Sequence, residues 1–146
     1  MEMAMQHGFI YEKLGQDPKS KITYNNVAQD LKRGDFLIRN ARNVEVEVKC
    51  RKFHSDPEKG LCFLFAWTEL KKFENMQKIT GTDIILAVYD HNADTLIESS
   101  LVMVTVNKIR QENNRRCGWE DIHKQLIVPL SITSSGFDLL EEYRHR

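Results

Sequence analysis

Val44, Val46, Val48 and Cys50 alternate strictly with Glu45, Glu47, Lys49 and Arg51. Period-two alternation with β-branched residues is a strand signal, and it assigns faces. The valines go to one side and the charges to the other. Just upstream, Phe36 and Ile38 alternate with Asp35, Leu37 and Arg39 in the same way. The linking residues, Asn40, Ala41, Arg42 and Asn43, include two asparagines, which tolerate positive φ and suit a turn. A slip of one residue would set valines against charges, so matching the apolar faces fixes the register. Phe36 then falls against Val46 and Ile38 against Val44.

That register puts Asp35 opposite Glu47, with Cβ atoms roughly 5 Å apart. Lys49 lies two residues on, about 6.6 Å along the strand. Two carboxylates and a lysine on one face can hold a divalent cation, with the lysine beside an attacking water. On pattern alone, an alternating charged strand is more often a solvated sheet face. Facing acids repel, however, and a cation between them offsets that repulsion better than pairing of Glu45 with Lys49 and Arg51 would.

These residues resemble the PD-(D/E)XK nuclease superfamily, which includes restriction endonucleases and archaeal-type Holliday junction resolvases. The pattern there is an acid opening one strand, then (Asp/Glu)-x-Lys on the next. Gly34-Asp35 and Glu47-Val48-Lys49 match it, with glycine where the family has proline. Gly8-Phe9-Ile10-Tyr11-Glu12 fits the family's glutamate on a preceding helix. A strand over 61–66, a helix over 67–80 and an apolar strand over 84–89 follow in the family's order. The likeness spans roughly residues 5 to 90, lacks a downstream glutamine-tyrosine pair, and does not extend to residues 100–146.

The resemblance implies a restriction endonuclease-like fold, with a central mixed sheet of about five strands flanked by helices. It implies hydrolysis of phosphodiesters in DNA, structured or branched DNA included, with RNA also open as substrate. Asp35, Glu47 and Lys49 would be catalytic. Asp35, Glu47 and the Val48 carbonyl would hold Mg²⁺ or Mn²⁺, with Glu12 as a further, indirect ligand. A chain of this size would act as a homodimer. The alternative is a nuclease-like module that binds nucleic acid or a protein partner without cutting.

The 146 residues fit one domain, residues 1–146, large enough for a real core. No apolar run reaches the ~20 residues of a membrane helix. The first residues lack the regions of a signal peptide, and three cysteines without paired spacing do not read as a disulfide framework. The expected location is the cytoplasm, away from membranes. Net charge is zero, which gives no global steering toward nucleic acid. Basic residues are nevertheless clustered. Arg39, Arg51 and Lys52 flank the motif, and Lys108, Arg110, Arg115 and Arg116 form a second group with Glu112 as its sole acid. Both are candidate phosphate contacts.

Met5, Phe9 and Ile10 recur at helical spacing, which predicts a helix over 1–14 ended by Gly15. Residues 21–24 read as a weak strand, and 54–60 as a dense turn. Thr68 is a candidate N-cap and Gly81 a candidate C-terminal residue of the next helix. Trp67, Leu70, Phe73, Met76 and Ile79 form one apolar stripe. The run Ile84–Val88 suits a central strand covered on both faces. Residues 101–106 read as a strand, 113–118 as a loop, and 126–132 as extended around Pro129, an edge strand or none. Ser134 or Ser135 would cap a terminal helix. Cys50, falling on the valine face, reads as a small buried hydrophobe. Cys50, His54, Cys62, Cys117 and His123 match no standard zinc spacing.

Overall fold

The computed structural model describes residues 2–14, 31–91, 100–113 and 125–145. In chain order the elements are α1 (Glu2–Gln6), β1 (Tyr11–Lys13), β2 (Phe36–Ile38), β3 (Val44–Arg51), β4 (His54–Asp56), β5 (Gly60–Ala66), α2 (Trp67–Thr80), β6 (Asp83–Asp90), β7 (Leu101–Thr105), α3 (Val106–Glu112), β8 (Gln125–Pro129), β9 (Ser134–Ser135) and α4 (Asp138–Tyr143). The fold is α/β. A mixed central sheet of six strands runs β1-β2-β3-β6-β7-β9, and a smaller sheet runs β4-β5-β8.

The alternation in β2 and β3 is realised in the predicted register, with Phe36 opposite Val46 and Leu37 opposite Glu45. Asn43 takes positive φ in the connecting turn. β6 lies parallel to β3 along its whole length. Parallel neighbours need a crossover, and β4, β5 and α2 supply it.

β6 divides two cores. Ile84, Leu86 and Val88 face α2, α3 and the smaller sheet, packing with Phe63, Phe65, Leu70 and Phe73. Ile85 and Ala87 face the other way, with Val44, Val46, Ile38, Phe137 and Leu140. A strand buried on both faces has no polar side to show, so its sequence is a continuous apolar run. Gly81 ends α2 in the left-handed conformation, its N–H bonded to the Gln77 carbonyl at 2.8 Å.

Several expectations are corrected. The N-terminal helix stops at Gln6 because Gly8 turns the chain at φ 79°, and Tyr11–Lys13 then pairs with β2. Of the three residues that mimicked a helical stripe, Phe9 is buried while Met5 and Ile10 are exposed. The expected 54–60 turn is present but narrower, at 57–59 inside the β4–β5 hairpin, with Asp56 accepting hydrogen bonds from the Glu58 and Lys59 N–H groups. α2 begins at Trp67 with no side-chain cap, and Ile79 leaves the stripe for solvent in the last turn. The 101–106 strand ends at Thr105, whose hydroxyl caps α3 by accepting the Lys108 N–H. Ser134 and Ser135 pair with β7 instead of capping α4. Cys50 sits at the exposed end of the valine face, beyond the second core. The expected strand at 21–24, the helix end at Gly15 and the 114–118 part of the expected loop lie outside the described residues. Among the described residues no helix is long and apolar enough to cross a membrane.

Candidate active site

The charged face of β3 is not a solvated one. Residues 32–35, ahead of β2, and Glu69 of α2 meet it, and Glu45 is 0% and Glu47 4% exposed. Each acid answers this differently. Glu45 is satisfied: it accepts the Gly34 N–H at 2.9 Å and the Arg33 guanidinium at 3.1 Å. Glu47 is not fully satisfied, for its Oε2 is buried with no hydrogen-bond partner.

Asp35 lies in the bend that leads into β2. Its backbone N–H bonds the Val46 carbonyl and its carboxylate accepts the Val48 N–H, both at 2.9 Å. These two bonds straddle Glu47 and fix Asp35 beside it. A strand residue sends its N–H and C=O to the same edge. The Val48 carbonyl therefore leaves β3 on the Asp35 side. Gly34 makes the approach feasible, since a Cβ there would stand 3.0 Å from the Glu45 Cβ and 3.2 Å from the Val46 carbonyl oxygen.

Lys49 shares the Glu47 face, as the alternation requires. Its Nζ stands 3.3 Å from Glu47 Oε1 and 2.6 Å from Glu69 Oε1. Lys32 Nζ also bonds Glu69 Oε1 and stands 3.7 Å from Glu47 Oε1. Burial, then the Asp35 charge, pushes the Glu47 carboxyl up to about 7, against the pull of the two lysines. Burial opposes the charges of Glu69 and Lys32 as well. Their mutual hydrogen bond and the neighbouring charges outweigh it, so Glu69 lies below the usual carboxylate range and Lys32 above the usual lysine value.

The structure thus brings Asp35, Glu47, Lys49 and the Val48 carbonyl edge together. It does not bring Glu12 to them. Glu12 is on β1, not on a helix, and its carboxylate pairs with Arg39. Two residues that meet Glu47 and Lys49 here were not candidates from the sequence, Lys32 and Glu69. The one available signal was Glu69 beside the apolar stripe, in the first turn of a helix that must cover charged strand positions.

Among the described residues no group of three or more His, Cys, Asp or Glu side chains could hold a metal. The oxygen donors on this side of β3 are the Asp35 and Glu47 carboxylates and the main-chain carbonyl of Val48. Mg²⁺ accepts such a set, because it keeps several waters and takes one or two carboxylates plus substrate phosphate oxygens. The partnerless Glu47 oxygen is a donor atom of the right kind for it.

The basic candidates separate. Arg51 is half-buried on the Glu47–Lys49 face, and Lys52 is exposed at the end of β3. Arg39 is engaged by Glu12. Arg110 stacks 4.7 Å from the Trp67 ring centre and pairs with Glu74 at 3.5 Å, so it serves packing of α3 on α2. Lys108 is exposed on α3, and Arg115 and Arg116 lie outside the described residues. Cys62 and His54 meet at 3.4 Å, but burial pushes the thiol up, away from the reactive thiolate.

Comparison with protein-family models, curated proteins and solved structures found no match.

Proposed function

We propose that this chain is a divalent-metal-dependent nuclease acting on DNA, built on a restriction endonuclease-like arrangement. The observation that carries the reading is Glu47: a buried carboxylate beside Asp35, with one oxygen left without a partner. A native fold rarely leaves such an atom unpaired without a reason. Asp35, Glu47 and the Val48 carbonyl would hold Mg²⁺ or Mn²⁺. A dication bound there polarises the phosphate and lowers the pKa of water.

The chain's own residues supply the rest. The Val48 N–H holds Asp35 in place, and Glu69 of α2 holds the Lys49 side chain beside Glu47. Lys49 orients the attacking water and stabilises charge that develops on the phosphate oxygens. The water oxygen bonds phosphorus as the ester bond breaks. The leaving oxygen takes up a proton, giving a phosphomonoester and a hydroxyl. Arg51, Lys52 and Lys108 remain as phosphate contacts, and a homodimer would bring two such sites to one duplex.

A non-cleaving module is the second reading. The bonding of Lys49 to Glu69 favours it, since that ion pair is complete without substrate.

The test is a cleavage screen with Mg²⁺ and Mn²⁺ on duplex, single-stranded, flapped and branched DNA and on RNA. Cleavage should vanish with chelator and with Asp35→Asn, and Ca²⁺ should inhibit it, because its looser coordination lacks the required geometry. Full activity in excess chelator would rule the mechanism out. No cleavage of any substrate would leave the binding module.

A further inference from the structure

Lys49 has a counterpart that the Glu-x-Lys motif does not contain. Lys32 Nζ and Lys49 Nζ approach the same oxygen of Glu47, at 3.7 and 3.3 Å. Both also bond the same oxygen of Glu69. The four groups alternate in sign around a closed ring, and each ammonium stands between β3 and α2.

Lys32 is anchored there by more than charge. Its ammonium lies 5.3 Å from the centre of the Phe73 ring. Its backbone N–H bonds the Lys72 carbonyl at 3.3 Å. Both anchors belong to α2, as does Glu69, so one helix places the whole pair.

The charges also need Lys32. With Glu47 ionised, as a metal ligand must be, Asp35, Glu47 and Glu69 against Lys32 and Lys49 leave one negative charge in excess. A dication turns that into one positive charge, which a phosphodiester balances. With Lys49 alone, the loaded site would be neutral before the phosphate arrived and negative after it.

We propose that Lys32 is a second functional lysine, acting with Lys49 on the same phosphodiester, and that Glu69 is the positioning residue that holds the two ammoniums side by side. The inference rests on the nuclease reading. Lys32 would donate hydrogen bonds and charge to the phosphate from its place beside Glu47 and Glu69. Either lysine can partly cover for the other, because both reach one oxygen. Groups that act as a unit are not additive when removed.

The test uses the full chain with Lys32→Met, Lys49→Met, both together, Lys32→Arg, Glu69→Gln and Glu69→Ala. Mn²⁺ affinity is measured by calorimetry without nucleic acid, and cleavage under single-turnover conditions at saturating DNA. Lys32→Met should bind Mn²⁺ several-fold more tightly, having lost a cation beside the ligand. It should cleave about tenfold more slowly, less than the ~10²-fold expected for an unshared stabiliser. The double variant should lose more than the product of the single losses. Lys32→Arg should recover both readouts, and Glu69→Gln, which keeps an acceptor oxygen, should cleave faster than Glu69→Ala. Unchanged Mn²⁺ affinity and unchanged saturated rate in Lys32→Met would overturn the inference while leaving the nuclease reading standing. A parent protein that binds no Mn²⁺ would overturn both.

Discussion

Glu47 is 4% exposed and titrates at about 7, against an ordinary value of 4.5. Below pH 4.5 the folded and unfolded chains both carry this proton. Between 4.5 and 7 the unfolded chain has lost it and the folded chain keeps it, so raising the pH favours unfolding. Stability should therefore fall across that window by up to about 3 kcal/mol and level off above it. Glu69, held low, acts in the opposite sense: its contribution is present above 4.5 and is lost as the solution is acidified further. Chemical denaturation at pH 5 and pH 8, without divalent ions, tests the sign. Glu47→Gln should flatten the slope and raise stability at pH 8, and millimolar Mg²⁺ should flatten it in the parent. A slope unchanged in Glu47→Gln would show that another group is responsible.

Between elements, the approach of the Asp35 bend to β3 depends on Gly34. Gly34→Ala would press its Cβ on Glu45 and on the Val46 carbonyl, backbone that cannot yield cheaply. Overpacking of this kind costs about 1–3 kcal/mol. It should also displace Asp35, so metal affinity should fall together with stability; full stability and affinity would mean the bend tolerates a side chain. The β2–β3 pairing was legible in the sequence because period two fixes both face and register, and Lys49 followed from it. Glu12 was misplaced because Met5, Phe9 and Ile10 imitate a helical stripe across Gly8, where the chain turns. The burial of Glu45 and Glu47 was not legible, since the pattern tells which face a residue takes but not what covers it. Lys32 joins the site from the irregular segment ahead of β2 and Glu69 from α2, a proximity that only the packing of α2 creates.

For the molecule as a whole, the two cores explain why the site stands where it does. β3 and β6 lie side by side at the centre of the six-stranded sheet, with the second core on one face. On the other, the apolar stripe of α2 covers β6. The same helix carries Glu69 to the charged face of β3. The site thus combines a rigid strand pair with a covering helix, a setting that holds polar groups in fixed positions. On the nuclease proposal, with a net charge of zero, attraction for nucleic acid would have to come from local groups such as Arg51, Lys52 and Lys108, assisted by a cation at Asp35 and Glu47. The most direct measurement is made on Lys49→Ala, comparing single-turnover cleavage with equilibrium DNA binding in Mn²⁺ and Ca²⁺ respectively. A residue that works on the reacting phosphate matters mainly in the transition state. Cleavage should drop by about 10²-fold, or somewhat less where Lys32 covers for it, while DNA affinity changes little. Equal losses in both, or an unchanged cleavage rate, would contradict the account.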